Sequence, residues 1–156
     1  MTDHVSKPRG RAILPPAYLG IALFLMVLLD LAIPILRIIT FPASLLGCVL
    51  IAIGATLNLL ADRAFKTHGT TVKPFERSDH LVTNGVFAIS RHPMYLGMTL
   101  ILVGFAVLLG TLTPFVVAAA FAVLLDVRFV RVEERMLAET FGDDWHVYRR
   151  RVRRWL

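Results

Sequence analysis

Between Met94 and Leu125 the chain runs 32 residues without one charged side chain. A single membrane helix needs about 20 apolar residues, so this run is too long for one span. At its middle stands Gly110-Thr111-Leu112-Thr113-Pro114, a combination that ends one helix and begins another. The pattern predicts a helical hairpin over residues 93–130, each arm at the short end for a full span. A soluble core does not explain such a run. Hydrophobic residues make up 56% of the chain and charged residues 18%, against about 45–50% and about 25% in a soluble domain.

Two earlier runs share this character. Pro15 and Pro16 stand at the start of the run over residues 16–36 and suit a first helical turn, and Pro34 within it suits a last turn or a kink. Residues 41–61 end at Asp62 and Arg63, and the short Arg37–Thr40 link makes the two runs a second, antiparallel hairpin. Gly47 and Gly54 stand seven apart, as do Gly97 and Gly104. Each pair lies on one helical face, where small residues let helices approach closely.

Four spans bring both termini to the same side of the bilayer. Of 17 Lys and Arg residues only Arg37 then falls on the opposite side, so the positive-inside rule makes the basic side cytoplasmic. The net charge of +6 is answered by anionic lipid headgroups and does not call for nucleic acid. The expected class is all-α: one integral membrane domain over 1–156, with four transmembrane helices as two hairpins. Its parts are a basic tail over 1–13, a cytoplasmic loop over 64–92, and a cytoplasmic tail over 131–156 that starts as a juxtamembrane helix. Glu133, Leu137 and Phe141 share a face of that helix, which Gly142 is expected to stop. The compartment expected is a bacterial inner membrane, with both termini cytoplasmic.

The loop from Ala64 to Ser90 carries no sustained period. It delivers Arg91-His92-Pro93 to the start of a membrane helix. Pro93 suits the first turn, which leaves Arg91 and His92 at the positive end of the helix dipole, a ready anion site. A headgroup-facing arginine and a capping histidine account for the same residues. Glu133 and Glu134 are adjacent and cannot share one helix face, so one can meet a site while the other meets solvent or an arginine. An ordinary charged juxtamembrane helix is the plainer reading. The run Arg149 to Arg154 with Trp155 reads as a lipid-phosphate contact and interface anchor.

Asp30 is an acid within a span and raises the possibility of a compact transporter that uses it as coupling acid; Asn58 and Asp62 pose a similar question. A non-catalytic membrane scaffold is the third class. Cys48 stands alone and apolar, which leaves no disulfide framework and no cysteine metal site. His68, His80 and His92 recur every 12 residues without a metal-ligand rationale, and no metal is expected. No G-x-G-x-x-G, P-loop, H-E-x-x-H or G-x-S-x-G pattern is present.

Taken in order, His80-Leu81-Val82-Thr83-Asn84-Gly85, Arg91-His92-Pro93-Met94-Tyr95-Leu96-Gly97, Glu133-Glu134, Phe141-Gly142 and Tyr148 resemble the isoprenylcysteine carboxyl methyltransferase and phospholipid methyltransferase superfamily. The resemblance extends over about residues 69–156; Thr70 to Phe75 resembles small bacterial members, and the first two spans match only in hydropathy. It implies S-adenosylmethionine as methyl donor, held without a Rossmann domain, and a lipophilic or small amphiphilic acceptor at the cytoplasmic interface. It also implies donor contacts from His80, Leu81, Val82, Phe87, His92, Pro93, Met94, Tyr95 and Glu133. Phe87 stands where carboxyl methyltransferases commonly have tyrosine. Phe129 stands where the family has an arginine facing the substrate carboxylate, with Arg128 beside it and Arg131 a little beyond. Arg131 is the arginine expected to serve the acceptor, with Glu134, three positions on, as the other catalytic candidate.

Overall fold

A computed structural model describes residues 14–67 and 81–156. Among these residues the regular structure is helical: α1 Pro15–Ala32, α2 Leu46–Thr67, α3 Pro93–Leu109, α4 Leu112–Leu125 and α5 Arg131–Arg151. Short 3₁₀ turns at Ala43–Leu45 and Gly85–Ala88 lead into α2 and α3, and a π-helical turn, Asp126–Val130, joins α4 to α5. The all-α class holds. The basic tail over 1–13, the Thr70–Phe75 stretch and His80 lie outside the described residues.

Helix α1 ends at Ala32 rather than Leu36. Pro34 has no N–H for the helical ladder and steers the residue before it out of the helical region. The stretch that follows lies across the turn between α3 and α4. Ile38 and Ile39 donate their N–H groups to the Gly110 carbonyl at 2.8 and 3.0 Å, and Leu112 donates to the Ile35 carbonyl at 3.0 Å. The Thr113 hydroxyl donates to the Ile33 carbonyl at 2.7 Å. Backbone groups that no helix satisfies thus pair with each other at this end of the bundle. Asp30 joins them by accepting the Thr111 hydroxyl, a structural engagement rather than a vacant carboxylate. Gly110 takes φ 77° as the α3 cap, so the turn falls where the sequence put it.

Helix α2 passes Asp62 and Arg63 and runs on to Thr67. Charges end an apolar run but not a helix: Lys66 pairs with Asp62 one turn back at 2.6 Å. On the inner side, α2 lies antiparallel to α3 with Gly47 against Gly104 and Gly54 against Gly97. A Cβ at Gly54 would stand 2.5 Å from the Gly97 carbonyl oxygen, and one at Gly104 would stand 2.6 Å from that of Gly47. The matched seven-residue spacings bring two backbones into direct contact.

The outer surface is apolar. In α1 only Pro15, Ala22 and Met26 are buried, while Ile21, Phe24, Leu25 and, in α2, Val49, Ile53 and Leu59 are exposed. That inverts the soluble pattern of an apolar inner stripe and polar outer face, and so large an apolar surface belongs in lipid. Two helices, Pro15–Ala32 and Ala43–Thr67, are long and apolar enough to cross a bilayer; α3, with 17 residues, is shorter. Inside, Ala22 and Met26 pack on Tyr95, Met98, Leu102 and Ala106 of α3 and on Ala118, Phe121 and Leu125 of α4.

Gly142 takes φ 49° and ψ −117°, outside the helical region, so the first part of α5 ends where expected, and a second helical segment resumes beyond the kink and runs to Arg151. Trp145, Tyr148 and Val152 bury against Leu81, Leu137 and Phe141, and that burial draws the chain back onto the domain after the kink.

Candidate active site

The end of the bundle away from the Gly110 turn gathers the start of α3, the π turn, the start of α5 and the segment after it. Ser90 is buried; its hydroxyl donates to the Arg154 carbonyl at 3.1 Å and accepts the His92 N–H at 3.2 Å. The Arg91 N–H donates to the Arg153 carbonyl at 3.0 Å. Arg91 and His92 are thereby held on both sides before Pro93 opens the helix.

His92 is 3% exposed, and its side chain caps nothing. Its ring stacks on Tyr95 with centroids 5.7 Å apart and planes at 25°. Its Nδ1 is 3.7 Å from Glu133 Oε2 and its Nε2 is 3.4 Å from Glu134 Oε1. The Nε2 contact lies outside hydrogen-bonding geometry, which leaves that buried nitrogen without a partner. Adjacent glutamates point about 100° apart on a helix, and here His92 lies between them.

Their surroundings differ. Glu133 is 36% exposed and also faces the Tyr95 hydroxyl. Glu134 is buried among cations. Arg91 Nη2 stands 2.9 Å from its Oε1, while Arg154 grips it with Nε at 3.2 Å and Nη2 at 2.6 Å. Arg154 Nη1 also reaches Asp126 at 3.1 Å. Burial alone would raise the Glu134 carboxyl; its contacts with His92 and Arg154 and the charge of Arg91 outweigh that and hold it at about 2. The bond to Glu134 chiefly raises Arg154, whereas burial lowers Arg91. Arg91 is no headgroup-facing arginine: its side chain is 7% exposed, it donates to the Arg149 carbonyl and it lies over the Trp145 ring at 5.5 Å.

Of the residues expected to touch a donor, His92, Tyr95 and Glu133 come together. Val82, Phe87 and Met94 form a neighbouring apolar cluster with Ala61 and Phe65, in which the Phe65 and Phe87 rings meet edge-on at 5.0 Å. Leu81 packs with Trp145 and Tyr148. Pro93 is buried at the start of α3, and His80 lies outside the described residues. An open groove of about 570 Å³ lies beside Tyr148, lined in part by Leu81, Thr83 and Asp144, and takes in none of the His92 group.

The two catalytic candidates do not sit as a pair. Glu134 is enclosed by arginines, and Arg131 is 59% exposed with its Nε 2.8 Å from Asp126. Phe129 is a buried ring set against Tyr18 and Tyr95. Sequence reasoning gave no role to Asp126, Ser90 or Trp145, took in Tyr148 only through the family resemblance, and assigned Arg154 to lipid along with its neighbours. Asp126 was findable as the first charge after the long apolar run. Arg154 was hidden among arginines. Among the described residues no group of three metal-ligating side chains occurs.

A sequence profile of the phospholipid methyltransferase family matches residues 42–144, well over half of the chain. The chain belongs to that family. It is 35% identical to a protein-S-isoprenylcysteine O-methyltransferase of Saccharomyces cerevisiae over 115 residues, which cover 70% of this chain and 46% of the yeast protein. Its counterpart in Schizosaccharomyces pombe is 38% identical over 78 residues, 47% of this chain and 32% of that protein. The chain thus spans less than half the length of these curated relatives. A solved eukaryotic intramembrane Ras methyltransferase, isoprenylcysteine carboxyl methyltransferase, superposes with a TM-score of 0.64 at 25% identity. That match covers 97% of this chain and 54% of the other. The outward apolar faces of α1 and α2 agree with membership in a membrane methyltransferase family.

Proposed function

We propose that this chain transfers a methyl group from S-adenosylmethionine to a lipophilic or small amphiphilic acceptor at the cytoplasmic face of the membrane. The observation that carries the reading is a buried His92 set against Tyr95 and between Glu133 and Glu134 at the start of α3, in a chain of this family. The donor is a sulfonium with an amino-acid head and an adenine. Such a molecule needs a carboxylate for its cations, a hydrogen-bonding group for its own carboxylate and aromatic or apolar faces for the rest. Glu133, the buried His92 ring, the Tyr95 ring and the Val82–Phe87–Met94 cluster offer these, so the residues fit.

The donor supplies an electrophilic methyl group. The protein's part is to hold and orient it, exclude water and present an acceptor in line, which needs no metal. His92, Pro93, Met94, Tyr95 and Glu133, with Leu81, Val82, Phe87 and His80, are the proposed donor contacts. Glu134 is better suited to anchoring Arg91 and Arg154 than to touching a substrate. Arg131, exposed beside the π turn, remains the proposed contact for an acceptor head group. The yeast relatives are named for a prenylcysteine acceptor. Phe129 cannot pair with a carboxylate, which argues for an acceptor recognised in another way.

Four spans with cytoplasmic termini are part of this proposal. The charge distribution supports them, as does the unbroken helical course from α4 through the π turn, which lengthens the shortest helix. Asp30, engaged by Thr111, lends nothing to a transporter reading.

Calorimetric titration of the detergent-purified protein with S-adenosylmethionine and S-adenosylhomocysteine tests the proposal. Binding is expected, weakened at least about tenfold in His92→Ala and in Glu133→Ala without loss of fold. Unchanged affinity in both variants would overturn the assignment.

A further inference from the structure

We propose that Arg154 is a positioning residue of the donor site, acting through Glu134; the inference rests on the methyl-donor reading above. Arg154 lies beyond the residues that the family profile matches, in a stretch whose composition suggests lipid contact. Its neighbours Arg149, Arg150, Arg151 and Arg153 are exposed. Arg154 instead has a side chain 33% exposed and committed at three atoms.

Those atoms join two elements. Nε and Nη2 take both oxygens of Glu134 on α5, and Nη1 takes Asp126 in the π turn. The backbone of the same segment joins a third, because the Arg153 and Arg154 carbonyls accept the Arg91 N–H and the Ser90 hydroxyl. The residues just before α3 and the start of α5 are therefore bound to each other through positions 153 and 154. A planar guanidinium with two parallel bonds fixes the plane of the carboxylate it grips. Held in that plane, Glu134 turns Oε1 toward Arg91 at 2.9 Å and His92 Nε2 at 3.4 Å. His92 is in turn the ring that stacks on Tyr95 and faces Glu133. Loss of Arg154 frees Glu134 to rotate toward Arg91, and the His92 ring loses one of the two carboxylates that flank it. Asp126 keeps Arg131 as a partner, so the π turn keeps one of its ion pairs.

The test is calorimetric titration of S-adenosylhomocysteine into purified wild type, Arg154→Gln, Arg154→Lys, Glu134→Gln and the Arg154→Gln/Glu134→Gln double variant, with thermal unfolding alongside. Arg154→Gln is expected to weaken binding about tenfold or more. Arg154→Lys, which keeps the charge but not the fork, should recover only part of it. The double variant should bind like Glu134→Gln alone, because a residue that acts through another adds nothing once the other is gone. Wild-type affinity in Arg154→Gln overturns the inference, as does a double variant whose loss is the product of the single losses. Should Arg154→Gln fail to fold, Arg154→Lys decides: weakened binding supports the inference and unchanged binding sinks it. A wild-type protein that does not bind the ligand instead refutes the methyl-donor reading, and this inference with it.

Discussion

Replacing Glu134 by glutamine keeps its shape and removes its charge, which isolates what the ion cluster contributes to stability. A carboxyl held at about 2 rather than 4.5 corresponds to roughly 3 kcal/mol at about 1.4 kcal/mol per tenfold change. Water reaches Arg154, whose side chain is 33% exposed, and screens part of that, leaving about 2 kcal/mol. Arg91, only 7% exposed, loses its counter-charge in the same substitution, and its attraction to Glu134 is already contained in that figure. The variant should therefore be about 2 kcal/mol less stable near pH 7, a fall of about 4–8 °C in melting temperature for a chain of this size. Thermal unfolding in detergent, followed by tryptophan fluorescence, measures it. The pH dependence supplies the sharper test. Glu134 is depressed in the folded protein, so its stabilisation is complete above 4.5 and is lost as pH falls through about 2. The gap between wild type and variant should close over that window. A variant that melts with wild type at pH 7, or a gap that persists undiminished at pH 2, would refute the reasoning.

Gly54→Ala places a Cβ 2.5 Å from the Gly97 carbonyl oxygen, which a backbone cannot yield, so the α2–α3 pair should lose about 1–3 kcal/mol, read as a lower melting temperature in detergent. Tyr148→Phe removes the 2.7 Å bond from its hydroxyl to the Phe87 carbonyl and should cost about 1–2 kcal/mol in the same assay. Burial pushes the Tyr148 hydroxyl from 10 up to about 12, so the difference between wild type and that variant should hold from pH 7 to 9 and shrink as pH rises from 10 towards 12. Asp30→Asn lies at the Gly110 end of the bundle and should leave S-adenosylhomocysteine affinity within about twofold of wild type; a large loss by calorimetry would return Asp30 to the site.

Much of the fold was legible because a bilayer imposes simple rules. The apolar run from Met94 to Leu125 demanded a turn, Gly110 could form it, and the paired glycines at 47, 54, 97 and 104 marked the faces that meet. Helix ends were less legible. Ala32 and Thr67 each depended on local bonds that the run of apolar residues does not encode, whereas Gly142 broke its helix where the sequence placed the end. The site was readable in part: Arg91-His92-Pro93 and Glu133-Glu134 stood out by residue type at an expected membrane interface.

The residue composition alone determined that this chain belongs in a membrane and that its polar chemistry collects beside the helix that Pro93 opens, because hydrophobicity and helix propensity are local properties. It could not determine partners. Two glutamates at neighbouring positions look alike in sequence, and arginines in a row look alike too. Only the tertiary structure gave Glu134 to Arg91 and Arg154 and left Glu133 half-exposed beside Tyr95 and His92. Those pairings join positions 20 and 43 residues apart for Glu134 alone. They follow from where the π turn and the Gly142 kink send the chain, and a charge is defined by the group it meets.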